Sequence, residues 1–250
     1  MKWHTFPTYK TEYQPYVLHD WIPSSRLDVD CLSLNPRAIA LLNDNPDAIH
    51  WMYLSMNPEA IHLLEMYPER INWSNLSENT KGVHLLYSNL TKVDWHRAST
   101  NPEAISLLVE NMDKISWRGM SRNPRGISLL EDNFDNINWA WLSSNPEALP
   151  LLEEHPDNIS WAHLALNPNP KAIQLLEDSV SKELWDWNHL SSNPAAVHLL
   201  SCNLELVNWM QMSKNPAAIP LLMRNLDCIN WSDFTALPGI FTRANCYTIY

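Results

Sequence analysis

The sequence predicts an all-α fold, an α-solenoid of stacked 22-residue units each made of two short helices, and three periodicities carry that prediction. Trp51, Trp73, Trp95, Trp117, Trp139 and Trp161 follow one another at intervals of 22, and Trp187, Trp209 and Trp231 resume the spacing after one interval of 26. Leu-Leu pairs at 41-42, 63-64, 85-86, 107-108, 129-130, 199-200 and 221-222 keep the same register. Asn-Pro opens all but one of the nine copies, the exception being Asn79-Thr80.

The first helix of each unit begins at Asn-Pro. An Asn side chain accepts from an orphan amide of the first turn, and Pro at the next position gives up an amide that has no helical partner. Behind it, Ala104, Ile105 and Leu108 of one representative copy fall on a single helical face. The end of this helix is marked by Asn45, Asn89, Asn111, Asn133, Asn203 or Asn225, and Asn readily takes the left-handed conformation that closes a helix.

The second helix begins at the Trp. The residue before it is His50, Asn72, Asp94, Ser116, Asn138, Ser160, Asp186, Asn208 or Asn230, and all of these but His50 can cap through a side-chain oxygen. A start at the preceding Asn, as in Asn45-Pro46, is the alternative. A leucine-rich repeat shares the period, but its strand needs an alternating Leu pattern that Asn-Pro interrupts. The extra four residues between Trp161 and Trp187 divide into two near Asn167-Pro168-Asn169-Pro170 and two near Val180 to Leu184. One unit buries too few side chains to offset the entropy of ordering it, so units must stack into an elongated array, with the Trp and Leu layers supplying the shared burial.

Three segments follow: an aromatic, Pro-rich N-terminal cap over 1–26, the nine-unit array over 27–236, and a tail over 237–250 that either caps the last unit or is loose. The half-unit before Asn35 carries Val29 where Trp is expected, as an atypical terminal repeat would.

Trp185-Asp186-Trp187-Asn188-His189-Leu190-Ser191-Ser192-Asn193-Pro194, with the entry Leu18-His19-Asp20-Trp21-Ile22-Pro23, resembles the short Trp/Asn-Pro repeat proteins of giant viruses of the mimivirus type. The likeness covers about residues 18 to 236. The resemblance implies a viral protein in the cytoplasm of a host cell, or one carried in the virion, and says nothing of chemistry.

Composition narrows the function. A net charge of −11 disfavours nucleic acid, whose binding depends on Lys and Arg displacing counterions. Cys31, Cys202, Cys228 and Cys246 show neither metal-ligand nor disulfide-framework spacing, which fits a reducing compartment. The N-terminus lacks the apolar run of a signal peptide, and no stretch has the length of a membrane span. Four glycines leave no phosphate loop, and no nucleophile elbow or zinc-protease motif occurs. The expectation is therefore a non-catalytic monomer with no cofactor and no metal. His62 and His84 share a position in adjacent units, but Ser and Pro stand there elsewhere, as on a tolerant surface. The pairs Glu131-Asp132, Glu153-Glu154 and Glu177-Asp178 read as a solvated helix face.

What varies between copies is where function is expected. The two residues after each Trp change completely, so packing does not fix them. They nominate a protein-binding face of Tyr53, Arg97, Arg118, Trp141, His163, His189 and Gln211, a mixture suited to protein recognition. Arg97, Arg118, Arg122 and Arg125 are expected to form a positive patch within it. The alternatives are a solvated surface free to drift and, for the molecule as a whole, a structural or self-assembling virion protein.

Overall fold

A computed structural model describes residues 16–179, 181–182 and 185–243. Cys246, the tail beyond Arg243, residues 1–15 of the N-terminal segment and part of the second insertion (Val180, Glu183, Leu184) lie outside the described residues. The chain is an all-α repeat array. Its only described strands are β1 (Tyr16–Leu18) and β2 (Phe241–Arg243), which rules out the strand-lined leucine-rich alternative.

Each unit is richer than two helices. Asn-Pro opens a 3-10 turn such as Pro102–Ala104, which runs into a Leu-Leu helix, Ile105–Val109; a second 3-10 turn, Met112–Lys114, leads to a Trp helix, Trp117–Arg122. Both proposed starts of the second helix thus exist as separate elements. The helix proper begins at the Trp, capped by the preceding side chain in eight of the nine copies. His50 caps through Nδ1, while Ser160 does not cap, its hydroxyl being bonded to His163 Nδ1 at 2.9 Å.

The Asn after the Leu-Leu helix is not left-handed, for no described residue has positive φ. Asn111 sits at φ −134°, and its Nδ2 instead donates to the Leu107 carbonyl at 2.8 Å. Asn45, Asn89, Asn133, Asn203 and Asn225 bond back four residues in the same way. The side chain itself satisfies a terminal carbonyl, so the backbone has no need of the strained conformation.

Two polar ladders join the units. The Asn of Asn-Pro is buried in every copy, and its Oδ1 caps its own turn while its Nδ2 reaches back one unit. Asn123 Oδ1 accepts from Arg125 N, and Asn123 Nδ2 donates to the carbonyls of Ser99 and Asn101 at 3.0 and 2.9 Å. The second ladder runs through the Ser at the end of the Trp helices, with Thr235 in its place in the last helix and Ala165, which has no hydroxyl, interrupting it after Trp161–Leu164. Ser121 Oγ donates to the Trp117 carbonyl and accepts from Asn138 N of the next unit at 2.9 Å. The Trp rings, by contrast, are only half-buried and pack against the edge of the core, which is built of Leu, Ile and Ala. The gluing assigned to Trp is therefore shared, and its polar part belongs to Asn and Ser.

The array is closed rather than elongated. Ten Trp-type helices occur among the described residues, from Val29–Leu32 to Trp231–Thr235, and the first packs on the last. Asn35 Nδ2 donates to the carbonyls of Thr235 and Leu237 at 3.0 and 2.8 Å, the pair of bonds that each ladder Asn from Asn79 to Asn215 makes to the unit before it. Asp28 N donates to Thr235 Oγ1 at 3.1 Å, carrying the hydroxyl ladder across the seam. The described Leu-Leu helices number nine, and where a tenth would stand β1 pairs antiparallel with β2, Val17 opposite Thr242. The described parts of the two terminal segments meet each other at the seam, over buried Ile22, Leu27, Ile240 and Phe241.

The insertion leaves the ladder intact. Asn193 Nδ2 still reaches the carbonyls of Ala165 and Asn167, both at 2.8 Å, while the added residues lengthen the outer helix to Pro170–Ser179.

Candidate protein-binding surface

In a closed array the spacing between units shrinks toward the axis. The tightest packing between units is between successive Trp helices, most of all Trp95–Thr100 against Trp117–Arg122, so these helices form the inner wall. Gly119 permits that closest approach: a Cβ there would stand 2.8 Å from the His96 carbonyl oxygen and 2.9 Å from Ser99 Cβ. A cavity of about 360 Å³ confirms the curvature, since Glu78, Thr100, Arg122, Ser144 and Leu166, the same position in five successive units, line it together with Pro124, Pro146 and Pro168.

Helical geometry puts the residues one, two and five places after each Trp on related faces of these short helices, which is why the variable positions meet. Trp141 is the centre of the described cluster. The guanidinium carbons of Arg118 and Arg122 lie 4.8 and 5.6 Å from its ring centroid, and His163 meets its edge at 5.0 Å. His163 in turn stands 6.2 Å from His189, whose Nδ1 is 3.2 Å from Asp186 and 2.8 Å from the Ala162 carbonyl. Burial, reinforced by the positive charge of His189 and Arg118, holds His163 below the ordinary histidine range. Next to Trp141, His96, Thr100, Arg118, Gly119 and Arg122 enclose a cleft of about 90 Å³, roughly three waters' share of the liquid.

Four of the seven nominated residues, Arg118, Trp141, His163 and His189, therefore form one run across four consecutive units. Tyr53, three units before Arg118, stacks locally on His50 at 4.2 Å and does not join that run, and Gln211 stands one unit past its end at His189. Arg97 is held by Glu78 at 2.9 Å and by Asp94 at 3.8 Å. The expected four-arginine patch is accordingly reduced: Arg97 and Arg125 are paired with Glu78 and Glu103, while Arg118 and Arg122 stack on Trp141. Arg122 is expected from the sequence only as part of the positive patch; that its position, five residues beyond the Trp, lines the surface in successive units is added by the structure. The variability of that position from Glu78 to Lys214 signalled it.

Among the described residues no group of three or more His, Cys, Asp or Glu gathers as a metal site would, and no helix is long and apolar enough to cross a membrane. Cys31, Cys202 and Cys228 are free thiols. His84 is 2.9 Å from Glu65 on the exposed outer surface. No family model matches the chain, and neither a curated protein nor a solved structure does.

Proposed function

We propose that this protein is a non-catalytic ring that binds another protein along its inner wall. What supports the reading is a division of labour within each unit. The recurring Asn, Ser and Leu side chains are consumed by ladders and core, while the varying ones converge on the run from Arg118 through Trp141 to His189. Aromatic and Arg side chains held by their neighbours lose little freedom on binding, which is what makes such residues energetic anchors. By resemblance of its repeat, the protein acts in the cytoplasm of a cell infected by a giant virus, on a host or viral partner.

Quantitative pull-down from infected-cell lysate tests this, with the wild type beside an Arg118→Ala, Trp141→Ala double variant. A partner captured by the wild type and lost from the variant is the expected result. Recovery of only the protein itself or of capsid components, equal for both forms, overturns it in favour of a structural role in the virion.

A further inference from the structure

The other units define what belongs beside Val29. In four of them, the Trp that opens a Trp helix leans on the second 3-10 turn of the unit that follows it round the ring, Trp231 doing so on Arg26 at 5.5 Å. Trp51 meets Tyr67 with ring centroids 5.3 Å apart, Trp73 lies 4.4 Å from Lys92 Nζ, and Trp139 meets His155 at 5.2 Å. The corresponding place in the first unit faces the turn Pro46–Ala48 and is bordered by Val29, which has no ring to put there. The result is a cleft of about 430 Å³ floored by Val29, Pro46, Ala48 and Ile49. Its rim is acidic, formed by Asp30, Asp44 and Asp47.

We infer that this cleft is a binding site for an indole carrying a neighbouring positive charge. The indole takes the place that Trp51, Trp73, Trp139 and Trp231 fill in their own units, covering the apolar floor. The cation meets the three carboxylates. Two sources present that chemistry, a Trp beside Lys or Arg in a polypeptide and a small indolylamine. The site is separate from the Trp141 surface and stands or falls independently of it.

The molecule supplies its own blocked form, Val29→Trp, which restores the residue of the other nine units and so suits the fold. Methyl NMR of Ile49 reads the site, because a ring placed over it shifts its δ1 methyl upfield. Titration of the full chain with amidated Lys-Trp-Lys and with tryptamine should give a saturable upfield shift, and the tighter of the two identifies the source. Amidated Glu-Trp-Glu should bind about fivefold more weakly at low salt, as expected for a few partly exposed charge pairs. In Val29→Trp the methyl should already be shifted without any probe and should not respond to one. An Asp44→Asn, Asp47→Asn variant should keep the shift and lose most of the preference for the cationic peptide. An unmoved Ile49 methyl with every probe, equal affinity for the acidic peptide, or an undiminished response in Val29→Trp each overturns the assignment.

Discussion

Asn35 donates from Nδ2 to the Thr235 carbonyl at 3.0 Å, across 200 positions of sequence, and makes there the bond that Asn57 makes to its neighbour Ser33 at 2.9 Å. The seam is held by the same chemistry as every other junction. Removing that chemistry should have the same energetic cost everywhere but different structural consequences. Asn123→Ala leaves the Ser99 carbonyl and the Arg125 amide without these partners, takes one of two bonds from the Asn101 carbonyl, which still accepts from Ala104 N, and should cost about 3 kcal/mol in a denaturant titration. Asn35→Ala should cost about as much and in addition loosen the seam, raising the radius of gyration in solution scattering. Unchanged scattering combined with unchanged stability would mean that the junction is not held by these bonds.

Removing residues 101 to 122 takes out one whole unit, and in an open array that would be harmless. In a ring it forces nine junctions to turn through the angle that ten now share. The expected outcome is a protein still helical by circular dichroism whose ends no longer meet. A Val17→Cys, Thr242→Cys pair reports this directly, since the two positions face each other across β1 and β2. The full-length pair should oxidise within the chain, and the shortened one should not.

Gly119→Ala reverses the usual sign of a glycine replacement. In an exposed helix, Ala would gain about 1 kcal/mol over Gly. Here the new methyl collides with the His96 carbonyl, which cannot move without parting Trp95–Thr100 from Trp117–Arg122. The variant should be destabilised by about 1–3 kcal/mol. A higher melting temperature than the wild type's would place the two helices further apart than described.

Acid should weaken the seam first through Asp28. Burial pulls its carboxyl up, but hydrogen bonds from Ser232, Cys31 and Asp30 outweigh that and hold it below the ordinary aspartate range. A folded-state pKa below the unfolded one contributes stability above about pH 4, which is lost as the pH falls through the folded value. Asp28→Asn should therefore be less stable than the wild type at pH 7, with the difference shrinking as the pH falls below the ordinary aspartate range. Urea midpoints followed from pH 7 downward measure it.

Much of this architecture can be read in the sequence because it is local. The N-caps at Asn72 and Asn101 and the Trp helix starts follow from rules that act within four residues. The ladder was legible too, by a signal easily passed over. The cap before the Trp varies among His, Asn, Asp and Ser because only an acceptor is used there. The cap before Pro is Asn in all nine copies from Asn35 to Asn215, because its NH₂ group is also needed to hold the preceding unit. Closure was not legible in this way, since it depends on a small angle repeated at every junction rather than on any residue. Of the surface, variability located Arg118, Trp141, His163 and His189. It could not foresee that Glu78 would neutralise Arg97, since 19 residues separate them and only the stacking brings them to 2.9 Å.

Because the amide ladder returns to its starting point, the bend at one junction is no longer a private matter of the two units that form it. The bends must sum to one full revolution, an integer condition, and any change that opens one of them is shared out as slight strain around the circumference. The residues added near Asn167-Pro168-Asn169-Pro170 escape this constraint, since they lengthen the periphery and leave the hub at Asn167 and Asn193 unmoved. Growth at the rim is thus free, whereas growth at the hub must come as a whole unit or not at all.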